Sequence, residues 1–272
     1  MRAMKIEKLD RHRIEEAFEP GVAAALSIEI LSSVDSTNAE LLRRASAGSV
    51  DGVVIMAEQQ TAGRGRSGRR WSSPPSGNLY LSLGWHYPGE VADLAGLSLA
   101  VGVVVAEAVS QCCGVELLLK WPNDVVHPQG KVGGILIETA GSGADGVAVI
   151  IGIGLNLAMS DEGAKLIDQP WIDIAALSGN TVARNHLAGE LAQSLWHLCS
   201  HWAGGGFASW RSAWQQRDAL RGRMVTLDGS EPLSGIASGV AIDGGLLVDT
   251  GARIATVYSG EARLRKSESL NG

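Results

Sequence analysis

A chain of 272 residues, 45% of them hydrophobic, can bury a sizeable core and has room for one large domain and a small one. Its formal net charge of -6 excludes a general affinity for nucleic acid or membrane surfaces, so any positive site must be local. Three cysteines, Cys112 and Cys113 adjacent and Cys199 alone, make neither a disulfide framework nor a C-x-x-C metal pair, which fits a reducing compartment.

The N-terminal MRAMKIEKLDRHRIEEAFE mixes both charge signs and lacks the apolar core of a secretory leader. The longest apolar stretch, residues 94–106, falls short of the roughly 20 residues that span a bilayer. A cytoplasmic protein is expected. A short helix over residues 11–18 leads to an alternating strand at 26–31. A helix follows at once, with Thr37 and Glu40 in capping-box spacing and Gly48 as its stop. Strands are predicted at 53–58 and 79–85, then a helix over 91–111 that is apolar on most sides and so belongs against a sheet. Three more strands, at 115–121, 132–138 and 147–157, and two helices, at 181–201 and 206–220, complete an α/β domain. Beyond residue 221 come short β runs at 224–227, 235–240, 245–248 and 253–258 between Gly and Asp turns, the texture of a small barrel. The polar tail after Arg265 is expected to fray.

Between the second and third strands lies GRGRSGRRW, residues 63–71, with four arginines and three glycines. Its first six letters satisfy G-x-G-x-x-G, yet the prolines at 74 and 75 deny the helix that a dinucleotide fingerprint requires, and Arg69-Arg70 stands where a Walker loop needs Lys and Ser/Thr. Gly63, Gly65 and Gly68 would allow positive φ and close backbone approach, and Arg64, Arg66, Arg69 and Arg70 would supply planar donor forks. An anion cradle is the reading that results.

Three further clusters carry chemistry. In Lys120-Trp121-Pro122-Asn123-Asp124 the proline turns the chain out of a strand and puts an amide and a carboxylate at the sheet rim. An ordinary turn and a phosphate or proton-handling site both remain open for it. Lys131 opens a strand whose Gly133-Gly134 pair weakens it unless something must approach its backbone. Gly152-Ile153-Gly154-Leu155-Asn156 repeats that pattern and ends in an amide. His197 and His201 stand at i, i+4 without the glutamate of a zinc helix, and Trp196, Trp202, Trp210 and Trp214 are spaced as core residues.

Taken in order with Ser36-Thr37-Asn38 and Gln60, these clusters resemble the biotin–protein ligases, also called biotin–acetyl-CoA-carboxylase ligases or holocarboxylase synthetases. The likeness runs from about residue 26 to 265, and Ser67 departs from it where an arginine is frequent. It implies an α/β (α+β) fold in which a mixed sheet packed with helices, similar to class II aminoacyl-tRNA synthetases, occupies residues 1–220 and an SH3-like β-barrel occupies 221–272. Ser36, Thr37, Asn38 and Gln60 would then line a biotin pocket, with Arg64, Gly65, Arg66 and Lys131 at biotin's carboxylate. Arg66, Arg69, Trp71, Asn123, Lys131, Asn156 and Trp171 would face the nucleotide, Trp171 over the adenine, and the segment 260–265 would approach it from the barrel. Lys131, Arg64, Arg66 and Asp124 are the candidate catalytic residues. Biotin and ATP would be substrates with Mg²⁺ carried on the phosphates, no metal site of the protein's own being expected. A biotin carboxyl carrier domain would be the acceptor. With some twenty-five residues before the first strand, no DNA-binding module is expected. Either a monomer or a homodimer paired through strand 147–157 is open. The alternatives are a lipoate or octanoate ligase or transferase on this fold, and a biotin-binding regulator without turnover.

Overall fold

In the computed structural model, which describes residues 7–264 apart from 76, 144–145, 161–162, 164, 166 and 229–231, two antiparallel-rich sheets share one apolar core. The tail after residue 264 and the first six residues lie outside the described part. The chain begins with α1 (Arg11–Glu15), α2 (Val22–Ala25) and β1 (Ser27–Leu31), then α3 (Thr37–Ala45), β2 (Val53–Ala57) and β3 (Leu79–Tyr87). The long α4 (Leu97–Cys113) precedes β4 (Leu118–Lys120), β5 (Asp124–His127), β6 (Gly130–Gly143) and β7 (Gly146–Leu155). After α5 (Ile174–Ser178), α6 (Arg184–His201) and α7 (Arg211–Gln216), the last strands are β8 (Met224–Leu227), β9 (Leu233–Val240), β10 (Leu246–Asp249), β11 (Ile254–Val257) and β12 (Ala262–Leu264).

The first sheet has the order β1-β2-β3-β7-β6-β5-β4, with β1 and β2 parallel and the remaining neighbours antiparallel. Strand periodicity assigns its two faces. On one, Val54, Met56, Leu79, Leu81, Leu83, Ile135, Val149, Ile151, Ile153 and Leu155 are buried in the large core that α4 and α6 complete. On the other, α3 packs through Leu41 onto Ile55 and Ile150 in a smaller cluster. Beside α3, that second face presents Ser82, Gly134, Leu136, Gly152 and Gly154, and here the site forms.

Several expectations need correction. The residue that caps α3 is Ser36, whose hydroxyl accepts the Ala39 N–H, because Thr37 already has helical geometry; Glu40 instead takes Arg43 and Arg44. The helix expected over 91–111 is a short 3-10 turn, Val91–Leu94, and then α4, broken at Gly96, whose φ of 78° is left-handed. Together they are long and apolar enough to cross a membrane by length and composition, contrary to the estimate from residues 94–106, yet α4 is mostly buried beneath the sheet. The strand through which the sequence leaves edge pairing with a second copy open, β7, is central: β3 pairs along one side and β6 along the other, so it offers no free edge. Strands β5 and β12 escape the periodicity because β5 has four residues with a bulge between Val125 and Val126 and β12 has only three. The expected barrel is a five-stranded antiparallel sheet, β11-β10-β9-β8-β12, whose inner residues Val225, Ala237, Val240 and Val248 continue the main core.

Candidate active site

The arginine–glycine segment is a small hairpin standing over the sheet. Arg64 and Arg70 bridge antiparallel, the Trp71 N–H donates to Gly63 O at 2.9 Å, and the Gly65 N–H donates to Arg69 O at 2.7 Å. Its tip has left-handed φ at Gly68 (73°) and also at Ser67 (55°), the one non-glycine with positive φ among the described residues. Gly63 and Gly65 therefore do not supply the positive φ expected of them. At Gly63 the need is for space, since a Cβ there would lie 2.5 Å from Trp71 O.

Trp71 explains the glycine at position 154 and lies over the one at 134. Its indole lies on the sheet where Gly134 and Gly154 are register partners, and a Cβ at Gly154 would sit 2.6 Å from Nε1. Lys131 places its ammonium 5.4 Å from the centre of that ring and 2.6 Å from Asp124 Oδ1, as an ion pair whose side chains are each 17% exposed. The chain brings these two together because β5 and β6 are neighbours, joined by a two-residue turn at Pro128 and Gln129. Asn123 secures the Pro122 turn by donating its amide to Ile135 O at 2.7 Å. Asn156, buried, donates to Lys131 O at 3.3 Å and Ile172 O at 3.4 Å, so it fixes the backbone at Lys131 and the neighbouring Trp171 segment.

A second, neutral polar group sits at the N-terminus of α3. Gln60 Oε1 accepts the Thr37 N–H at 2.9 Å and lies 3.2 Å from the Thr37 hydroxyl; its Nε2 donates to Ser73 Oγ at 2.9 Å. Ser82 Oγ lies 2.7 Å from Thr37 Oγ1 and 2.6 Å from Asn38 Oδ1. A cavity of about 420 Å³ joins both groups: Ser36, Thr37, Asn38 and Gln60 at one end, Arg64, Gly65, Arg66, Arg69, Asn123, Asp124 and Lys131 at the other. A smaller cavity of about 60 Å³ opens between Trp71 and Trp171 and includes Arg70, Lys131 and Asn156. Arg66 lies deepest of the arginines that line the main cavity, and burial lowers its pKa although Asp124 opposes the shift; a guanidinium stays charged regardless. Arg69 reaches Glu261, ahead of β12, at 3.0 Å, so the second sheet touches the hairpin.

Every site residue read from the sequence thus lines one of the two cavities. Two neighbours were not read. Ser82 is the lone serine or threonine in an otherwise largely aromatic and aliphatic strand, and Glu138 is the acid that closes the apolar run of β6; both were visible as exceptions to their strands. The histidine pair stays apart from the site: His201 Nδ1 lies 2.8 Å from His197 O on α6. Among the described residues no three His, Cys, Asp or Glu side chains converge as a metal cage.

A mixed sheet with a guanidinium-rich hairpin at one end of its cavity and neutral hydrogen-bonding groups at the other defines a domain for holding a carboxylic acid beside a nucleotide. The model of the Biotin/lipoate A/B protein ligase family matches residues 30–156. The chain is 36% identical to the bifunctional ligase/repressor BirA of Salmonella typhimurium over 97% of its own length and 80% of that protein's. It is 34% identical to the biotin–[acetyl-CoA-carboxylase] ligase of Mycobacterium tuberculosis, covering 86% of this chain and 87% of that one. The biotin protein ligase of Aquifex aeolicus, solved with biotin and ATP, superposes with a TM-score of 0.74 at 29% identity, over 88% of this chain and 98% of that one. The chain belongs to the biotin–protein ligase family.

Proposed function

We propose that this protein activates biotin with ATP and passes the biotinyl group to a lysine on the biotin carboxyl carrier domain of a carboxylase. The observation that carries the reading is one cavity with a neutral end suited to a ureido ring and a cationic end suited to a carboxylate and a phosphate. A carboxylate has no leaving group that an amine can displace, so activation comes first. The biotin carboxylate attacks the α-phosphorus of ATP, forming an acyl–phosphate bond as the bond to pyrophosphate breaks. The lysine amine then attacks the acyl carbon, AMP departs, and the amine loses its proton.

The first step brings anions together. Arg64, Arg66 and Lys131 offset that repulsion, and the Mg²⁺ that accompanies ATP adds charge neutralisation on the phosphates. Arg69, Trp71, Asn123, Asn156 and Trp171 form the nucleotide side, with the slot between the two indoles taking the base. In this reading Asp124, ion-paired with Lys131 at 2.6 Å, receives the lysine proton in the second step. The hairpin keeps water from the mixed anhydride. We place the domain boundary near residue 220 and the reaction in the cytoplasm, where the three free thiols persist.

The test is pyrophosphate exchange into ATP, followed by mass spectrometry of a carrier domain incubated with the protein, Mg·ATP and biotin. Biotin-dependent exchange and a mass gain of one biotin support the reading. Exchange driven by lipoate or octanoate would move the activity to those acids, and absence of exchange with biotin bound would leave a binding protein.

A further inference from the structure

Glu138 lines neither of the two cavities, yet it touches a residue at each end of the larger one. Its Oε2 accepts from Asn38 Nδ2 at 2.9 Å, and its Oε1 lies 3.4 Å from Arg64 Nη1. Asn38 Nδ2 also donates to Leu136 O at 3.1 Å. A carboxylate and a carbonyl accept only, so the nitrogen of this amide must face β6 and its oxygen must face Ser82, in a residue that lines the cavity. Asn38 is buried and lies on Gly152, where a Cβ would overlap Oδ1.

We propose that Glu138 is a positioning residue that sets substrate specificity: by holding the Asn38 amide in this sense it presents an acceptor to the ring of the bound acid. An acid whose ring carries N–H groups satisfies that acceptor. One with a dithiolane or an alkyl chain leaves that oxygen with only the Ser82 hydroxyl, whose single proton Thr37 Oγ1 also competes for, and a site built around a hydrogen bond rejects the analogue lacking it far more strongly than a hydrophobic pocket rejects a missing methylene. Without Glu138, Leu136 O is the remaining anchor and the amide can turn to offer a donor. The Arg64 contact is longer and open to solvent, so it contributes little to this role.

The inference rests on the biotin reading above, and the experiment separates the two. Equilibrium affinity for biotin and for its two cyclic carbamate analogues, in which either ring N–H is replaced by oxygen, is measured for the wild type, Glu138→Ala and Glu138→Gln. Glutamine can still offer Oε1 to Asn38 Nδ2 while losing the charge. Loss of one buried hydrogen bond of this kind predicts that Glu138→Ala weakens biotin about tenfold while Glu138→Gln stays within about threefold of the wild type. The carbamate that lacks the N–H facing Asn38 should bind all three proteins alike. Equal biotin affinity for the wild type and Glu138→Ala overturns the inference, as does an alanine variant that weakens biotin and both carbamates equally. If the alanine protein does not fold, Glu138→Met keeps the bulk without an acceptor and takes its place. A wild type that binds no biotin overturns the proposed function itself.

Discussion

Lys131 and Asp124 meet at 2.6 Å at the point where the hairpin, β5 and β6 converge, so the ammonium that a substrate anion needs is already held by a carboxylate of the protein. An incoming carboxylate or phosphate completes this pair and does not create it. The partners should separate by step. Lys131→Met, which keeps the stem against Trp71, is expected to lower biotin-dependent pyrophosphate exchange by about a hundredfold or more, the scale of one lost transition-state contact. Asp124→Asn should leave exchange within a few-fold and slow the transfer from preformed biotinyl-adenylate to the carrier domain. Single-turnover transfer at the wild-type rate in Asp124→Asn would remove the proton-accepting role.

Glu261 ties the hairpin to the second sheet through Arg69. Burial raises the Glu261 carboxyl's pKa, but the Arg69 bond and the charges of Arg69, Lys120 and Arg263 outweigh it and hold the group below the usual carboxylate range. Glu261→Gln is expected to loosen the hairpin and let adenylate escape, with a change in melting temperature of no more than a few degrees, as for a partly exposed pair. Release of adenylate into solution, followed by chromatography, checks this; wild-type retention would show that the hairpin's own hydrogen bonds suffice.

Gly152 and Gly154 should fail in different ways. A methyl group at Gly152 overlaps the Asn38 amide and one at Gly154 presses on the Trp71 indole. Overpacking of this kind costs about 1–3 kcal/mol, which corresponds to roughly a tenfold loss of affinity or more. Gly152→Ala is expected to raise the KM for biotin, and Gly154→Ala the KM for ATP. Steady-state kinetics with each substrate varied in turn distinguishes them, and a rise of both constants in both variants would contradict the division of the cavity.

Asp218 gives the fold a pH dependence unrelated to catalysis. It follows α7 beside β4, its Oδ1 accepts the Leu220 N–H at 2.9 Å, and its buried Oδ2 has no partner. Burial pushes its pKa from 3.8 up to about 6. The folded state therefore binds this proton more tightly than the unfolded chain does. The resulting stability is fully present below about pH 3.8 and is lost as the pH rises through about 6, at up to about 3 kcal/mol by linkage. Asp218→Asn keeps an acceptor for Leu220 without the charge. Urea unfolding should find it more stable than the wild type at pH 7.5 and no more stable at pH 4; parallel curves at both pH values would refute the shift.

Much of the site was legible because its chemistry is local in sequence. GRGRSGRRW, KWPND and the glycine-bearing strands each announce a conflict between residue type and the surrounding pattern, and such conflicts collect where function is. What joins them is not local. Ser82 lies 45 residues from Thr37, and Glu138 lies 100 residues from Asn38, so their partnership depends on β3, β6 and β7 lying side by side. The same limit hid the interior position of β7: alternation within a strand reports which face is buried and says nothing of whether both edges are taken. The turn at Ser67 was missed for a different reason, since a left-handed serine has no signature of its own beside an adjacent glycine.

The floor made by Gly134, Gly152 and Gly154 is built of peptide planes where other strands carry side chains. Substitution can only raise such a floor. Reshaping this domain for a longer or broader acid must therefore proceed from above, through the residues that overhang it on α3 and the hairpin, with the sheet acting as a fixed anvil against which a changeable upper jaw is fitted.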